Sequence, residues 1–257
     1  MNTPLRSSRR VWLGIGGLLL IGIIGQTGLA VIAFYGRTTY VTTVAIEPVG
    51  GQLQVRSGNS DVSVHPSADG RVHIQTRARY GLRRPKLEQR SGARGIELAA
   101  DCSWFDSRCG VDYDIAVPQG QALVVSSGSG DIAVTDLGTS AEIFTGSGDV
   151  TVDRLTGPAL DLRTGSGDIR VRGSRVGNVT ARTGSGDISA EFAEAPTAVE
   201  ARAGSGDVTI VLPEGAYAVD ADTGSGDRTV DVATDPKAEH TILVRTGSGD
   251  ARVRPPR

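Results

Sequence analysis

The tetrapeptide Gly-Ser-Gly-Asp occurs seven times in this chain, ending at Asp131, Asp149, Asp168, Asp187, Asp207, Asp227 and Asp250. Successive aspartates lie 18, 19, 19, 20, 20 and 23 residues apart. A fixed period near 20 residues is the mark of a solenoid. Each unit is too thin to bury its apolar side alone and stacks on its neighbours.

The residues between motifs say what each unit is. After the aspartate comes an apolar-x-apolar pair: Ile132/Val134, Val150/Val152, Ile169/Val171, Ile188/Ala190, Val208/Ile210. A second pair precedes the next motif: Ala141/Ile143, Leu160/Leu162, Val179/Ala181, Val199/Ala201, Val219/Ala221, Ile242/Val244. Alternation with period two is the pattern of a strand with one face buried. Each unit therefore reads as two short strands and two turns. The expected fold is all-β, a single-stranded parallel β-solenoid of roughly 19–20-residue coils.

The motif itself reads as a turn. Its glycines are Gly128 and Gly130, Gly146 and Gly148, Gly165 and Gly167, Gly184 and Gly186, Gly204 and Gly206, Gly224 and Gly226, and Gly247 and Gly249. Lacking a Cβ, they can take the positive φ angles of a sharp bend. The aspartate is expected to cap N–H groups of its own turn. Thr145, Thr164, Thr183, Thr223 and Thr246 precede the turns and are expected to form a hydroxyl ladder, with Ala203 as the exception. Arg163, Arg182, Arg202 and Arg245 take the outward position before them. The chain ends in Arg254-Pro255-Pro256-Arg257, and prolines and charges there read as a terminal cap on the stack.

Stacking aligns the carboxylates Asp131, Asp149, Asp168, Asp187, Asp207, Asp227 and Asp250. Neighbours about 4.8 Å apart repel by only about 0.9 kcal/mol in bulk water, so no metal is required. A calcium ladder is the alternative. It would need six to eight oxygens per ion, which one aspartate per coil is hard put to supply. No cofactor and no catalytic group is expected. The three histidines, His65, His73 and His240, sit in separate segments away from the repeated Ser and Asp. The motif lacks the lysine of a phosphate-binding loop and precedes strands. An enzyme acting on carbohydrate needs paired acids and an aromatic groove, yet residues 111–257 hold only four aromatics, Tyr113, Phe144, Phe192 and Tyr217.

Charge is unevenly distributed. Residues 111–257 carry 13 basic and 22 acidic side chains, a net −9 that argues against nucleic acid. At the other end, residues 11–36 contain no charge and are long enough to cross a bilayer. Arg6, Arg9 and Arg10 precede this run and Arg37 alone follows it closely. The positive-inside rule places the N-terminus in the cytoplasm and the rest outside, making a single-pass membrane protein. A cleaved signal peptide is the alternative, with Ala30 and Ala33 as small residues near a cleavage point.

Four regions result: a basic tail (1–10), a transmembrane helix (11–36), N-terminal strands with a basic insertion and a cysteine loop (37–118), and the repeat solenoid (119–257). Ser57 to Val64 reads as a degenerate first copy of the repeat. Residues 77–94 hold seven basic side chains against Glu88 alone. They read as an exposed loop insertion, or as a contact to anionic headgroups or wall polymers. Cys102 and Cys109 are expected to form a disulfide outside the cytoplasm, the alternative being a two-ligand metal site. That loop holds Trp104 and Phe105, readable as a cap on the stack or as a partner anchor.

The repeats Ser129-Gly130-Asp131-Ile132 through Ser248-Gly249-Asp250, with the lead-in Val111 to Pro118, resemble the bacterial "putative adhesin" domain of unknown function. The resemblance spans roughly residues 40–257. It implies a membrane-anchored β-solenoid in the cell envelope, acting as a structural or interaction module toward an envelope polymer or protein. An accessory sensor or regulatory subunit in envelope stress is the alternative. The resemblance brings no catalytic residues.

Overall fold

A computed structural model of the chain describes residues 38–46, 52–81, 83–92, 95–101 and 109–256, apart from the side chains of 91, 92 and 95. The N-terminal part holds β1 (Thr38–Ile46), β2 (Gln52–Ser57), β3 (Asp61–Pro66), β4 (Val72–Tyr80), β5 (Lys86–Gly92), β6 (Gly95–Asp101) and β7 (Gly110–Val117). The repeats begin with β8 (Ala122–Ser127), β9 (Ile132–Thr135), β10 (Ala141–Thr145), β11 (Val150–Asp153), β12 (Thr156–Ser166), β13 (Ile169–Ser185) and β14 (Ile188–Phe192). They end with β15 (Ala198–Ser205), β16 (Val208–Val211), β17 (Ala216–Thr223), β18 (Arg228–Val230), β19 (Ala233–Thr234), β20 (Thr241–Ser248) and β21 (Ala251–Arg254). Among the described residues there is no helix.

The strands form two sheets face to face. Strands that follow a motif build the first sheet and strands that precede one build the second. The first five repeats pair in parallel, with one register shift between β13 and β14: Val150 lies between Ile132 and Ile169, and Ile143 between Val125 and Leu162. The apolar pairs expected to face inward are buried, from Ile132 and Val134 to Ile242 and Val244, with Val219 only partly covered. Small β-branched residues suit this thin core because they pack on a pleated surface at low entropic cost. The degenerate copy joins the stack, with β2 against β8 and β3 against β9.

Coil order in space departs from coil order in sequence at both ends. The last coil, β20–β21, lies between β15–β16 and β17–β18 and pairs with both. The copy ending at Asp227 is therefore outermost, and the copy ending at Asp250 is interior. The expectation that the chain end caps the stack is overturned. Pro255 and Pro256 instead follow a strand hydrogen-bonded on both sides. The cap is the excursion from Leu212 to His240, which includes β17, β18 and β19. At its centre Tyr217 is fully buried, donates a 2.8 Å hydrogen bond to the Pro213 carbonyl and packs against His240 with the rings tilted by 53°. The N-terminal end mirrors this, since β2–β3 is inserted between β8–β9 and β6–β7.

The N-terminal end is closed by antiparallel pairing. β4 joins β7, β1 joins β4, and β5 joins β6. The region 77–94 is therefore not a loop insertion: Arg77 and Arg79 belong to β4, and Lys86 to Gly92 form β5. Ala78 buries between the outward arginines, which is the alternation of a strand. Residues 11–36 lie outside the described residues, and no helix among the described residues is long and apolar enough to cross a membrane. Arg6, Arg9, Arg10, Cys102, Trp104 and Phe105 also lie outside them. Cys109 is described, and no free thiol occurs among the described residues.

Candidate interaction surface

One edge of the stack is built from the motif turns, and close approach dictates its glycines. A Cβ on Gly148 would lie 2.1 Å from the Gly130 carbonyl oxygen, and one on Gly130 2.0 Å from that of Ser60. The same clash recurs at Gly167, Gly186, Gly206, Gly226 and Gly249. The first glycine of each motif meets the adjacent turn at 2.4–2.8 Å. Positive φ occurs at Gly186, Gly206, Gly226 and Gly249 but not at Gly130, Gly148 or Gly167. Backbone-on-backbone stacking, more than turn conformation, therefore demands glycine here.

The aspartates form a continuous ladder across coils. Oδ1 of Asp61 accepts the backbone N–H of Asp131 at 3.0 Å, and Oδ1 of Asp131 that of Asp149 at 2.8 Å. The chain continues through Asp168, Asp187 and Asp207. It then passes to Asp250 and finally to Asp227. Each carboxylate caps the next coil, not its own turn as expected. The second oxygen is clamped at two places. Arg170 bridges Asp149 and Asp168, and Arg252 bridges Asp207 and Asp250. The Asp250 N–H, followed by Arg252, holds the Asp207 carboxyl below its ordinary range. The Asp149 carboxylate raises the Arg170 guanidinium. A guanidinium thus sits where a cation would be needed at four rungs. Among the described residues no group of three or more His, Cys, Asp or Glu is arranged to hold a metal.

The threonines face inward and tie the same edge together. Thr145 donates to the Gly130 carbonyl, Thr164 to Gly148 and Thr183 to Gly167. Thr246 donates to Gly206 and Thr223 to Gly249. Ala203, between Thr183 and Thr246, leaves one rung without a hydroxyl.

The outward face of the second sheet carries a straight column of side chains: Phe144, Arg163, Arg182, Arg202 and Arg245 on successive coils. Beside it runs a column in which Asp161, Glu200 and Asp220 alternate with Thr180 and Leu243. Arg163 pairs with Asp161 at 2.6 Å, Arg182 and Arg202 share Glu200, and Arg245 pairs with Asp220. Arg182 depresses Glu200, and Arg245 depresses Asp220. Such exposed pairs are each worth at most about 1 kcal/mol, so a partner can exchange for them cheaply. Among the described residues Phe144 is the one aromatic of the exposed large apolar side chains, 52% exposed.

Sequence reasoning missed the arginine clamps, although Asp168-Ile169-Arg170 and Asp250-Ala251-Arg252 repeat the same spacing. It also missed Tyr217 as the end cap. His65 and His73 flank Ala116 from the two strands beside β7, His65 pairing with Asp114 and His73 with Asp69, while His240 meets the Pro196 carbonyl.

Comparison with known proteins places this architecture. No curated protein matches the chain. A solved structure from Bacteroides fragilis NCTC 9343, described as a "putative adhesin", is similar with a TM-score of 0.53 and 16% identity, covering 83% of this chain and 97% of that one. Another "putative adhesin", from Parabacteroides distasonis ATCC 8503, has a TM-score of 0.52 and 9% identity, covering 84% and 97%. At such identities the likeness is one of fold. Residues 28–254 match the family model described as Toastrack DUF4097, and the chain belongs to that family.

Proposed function

We propose that this chain is a single-pass membrane protein whose β-solenoid stands outside the cytoplasm as an adhesin-like interaction module of the cell envelope. The observation that carries the reading is the column Phe144–Arg163–Arg182–Arg202–Arg245. A rigid stack fixes one outward side chain per coil at about 4.8 Å intervals, which suits an extended polymer or a protein edge. The uncharged run 11–36 behind three arginines supports the anchor and its orientation. A disulfide between Cys102 and Cys109 fits the same compartment. No catalytic step is part of this reading.

Two measurements test it. With Asp231→Cys in intact cells, a membrane-impermeant maleimide labels the chain without lysis; labelling only after lysis overturns the topology. Replacing Arg182 and Arg202 by Gln weakens binding of purified envelope polymers while leaving the melting temperature within a few degrees. Unchanged binding removes the arginine column as the contact.

A further inference from the structure

The register of the N-terminal strands places a basic surface where the chain leaves its apolar segment. Thr38 follows Arg37 directly and pairs with Tyr80, while Thr39 pairs with Arg79 and Val41 with Arg77. The end of β4 therefore sits level with the first residue of β1, and Arg84, Pro85 and Leu87 line one cleft with Tyr40 of β1. Residues 77–90 carry six basic side chains and one acidic, a net +5. Arg77, Arg83, Arg84, Lys86 and Arg90 are exposed. Arg77 and Arg83 have no carboxylate partner among the described residues. The Arg84 guanidinium lies 3.5 Å over the Tyr40 ring, beside a cleft of about 360 Å³. The opposite end of the stack has the opposite sign, with seven acidic and two basic residues between 212 and 240, a net −5.

We propose that the solenoid rests on the membrane by this basic end, its arginines contacting the phosphates of anionic phospholipid headgroups. The inference rests on the anchoring proposed above, which holds Thr38 within about one residue, roughly 3.3 Å of chain, of the bilayer interface. A basic side chain near an anionic surface contributes about a fivefold gain in binding, and the effect fades within a Debye length. Only groups beside the anchor can use it. The acidic far end is repelled by the same field, so both ends favour an upright stack.

The test uses the full chain in lipid nanodiscs of phosphatidylcholine alone or mixed with phosphatidylglycerol, read by amide hydrogen exchange over residues 83–90. Exchange is expected to slow about fivefold or more in the anionic discs. The slowing should disappear in high salt and in the variant Arg77→Gln/Arg83→Gln/Arg84→Gln/Lys86→Gln. Exchange equal in the two lipids, or slowing that survives high salt, overturns the proposal. A chain that co-purifies with neither disc overturns the anchor itself, an outcome distinct from equal exchange in both.

Discussion

Oδ1 of Asp207 accepts a 2.8 Å hydrogen bond from the backbone N–H of Asp250, and Oδ1 of Asp250 in turn accepts that of Asp227. The ladder thus skips one copy in sequence and returns to it. Asp207→Ala removes the acceptor and the second partner of Arg252. It is expected to lower stability by about 1–2 kcal/mol in chemical denaturation, and Asp207→Asn by less because an acceptor remains. Asp227→Ala, at the end of the ladder, should change stability by no more than about 0.5 kcal/mol.

Gly148→Ala should destabilise by about 3 kcal/mol or more, since its Cβ would lie 2.1 Å from a backbone oxygen that cannot move without opening the stack. Gly58→Ala, in the degenerate copy, meets nothing within 4 Å and should be tolerated. Soluble yield and melting temperature separate the two. Equal behaviour contradicts close approach as the reason for glycine.

The missing rung at Ala203 gives a prediction of gain. Thr183 and Thr246 flank it and each bonds a motif carbonyl. Ala203→Thr should reach the Gly186 carbonyl and stabilise by up to about 1 kcal/mol. Thr145→Val, at a fully buried rung, should cost about 1–2 kcal/mol by leaving the Gly130 carbonyl without its donor.

Acid should loosen the stack in a defined direction. Asp207, Asp220, Glu200 and Asp136 are all held below their ordinary range, by Asp250 N–H, Arg245, Arg182 and Arg154 respectively. A carboxyl with a depressed folded value binds protons more weakly when folded. Its contribution is whole above the ordinary carboxylate range near about 4 and is lost as pH falls through the folded values. The melting temperature should therefore be flat from neutrality down to about pH 5 and fall below it. Arg252→Gln should shrink the Asp207 share of that fall.

The inward pairs were legible because burial and alternation coincide at Val150, Val152, Leu160 and Leu162. Coil order was not legible because the copies are interchangeable locally. Thr241 pairs with Ala198 on one side and with Ala218 on the other, in the same register. Nothing in the sequence of β20 says which neighbours it prefers. The excursion that builds the cap decides it, with Tyr217 fully buried and hydrogen-bonded to the Pro213 carbonyl at its centre. The basic stretch was misread because its charges hid a strand: Arg77 and Arg79 alternate with Ala78, which is buried, and Tyr80.

Amide hydrogen exchange across the C-terminal coils is the most direct test of the stack described here. A strand bonded on both sides opens only with its neighbours, whereas an end strand frays. Residues 242–246 and 251–253 should exchange among the slowest in the domain, and residues 228–234 markedly faster. Fast exchange at 242–253 with protection at 216–230 would mean that the coils stack in sequence order, and would contradict the inserted C-terminus.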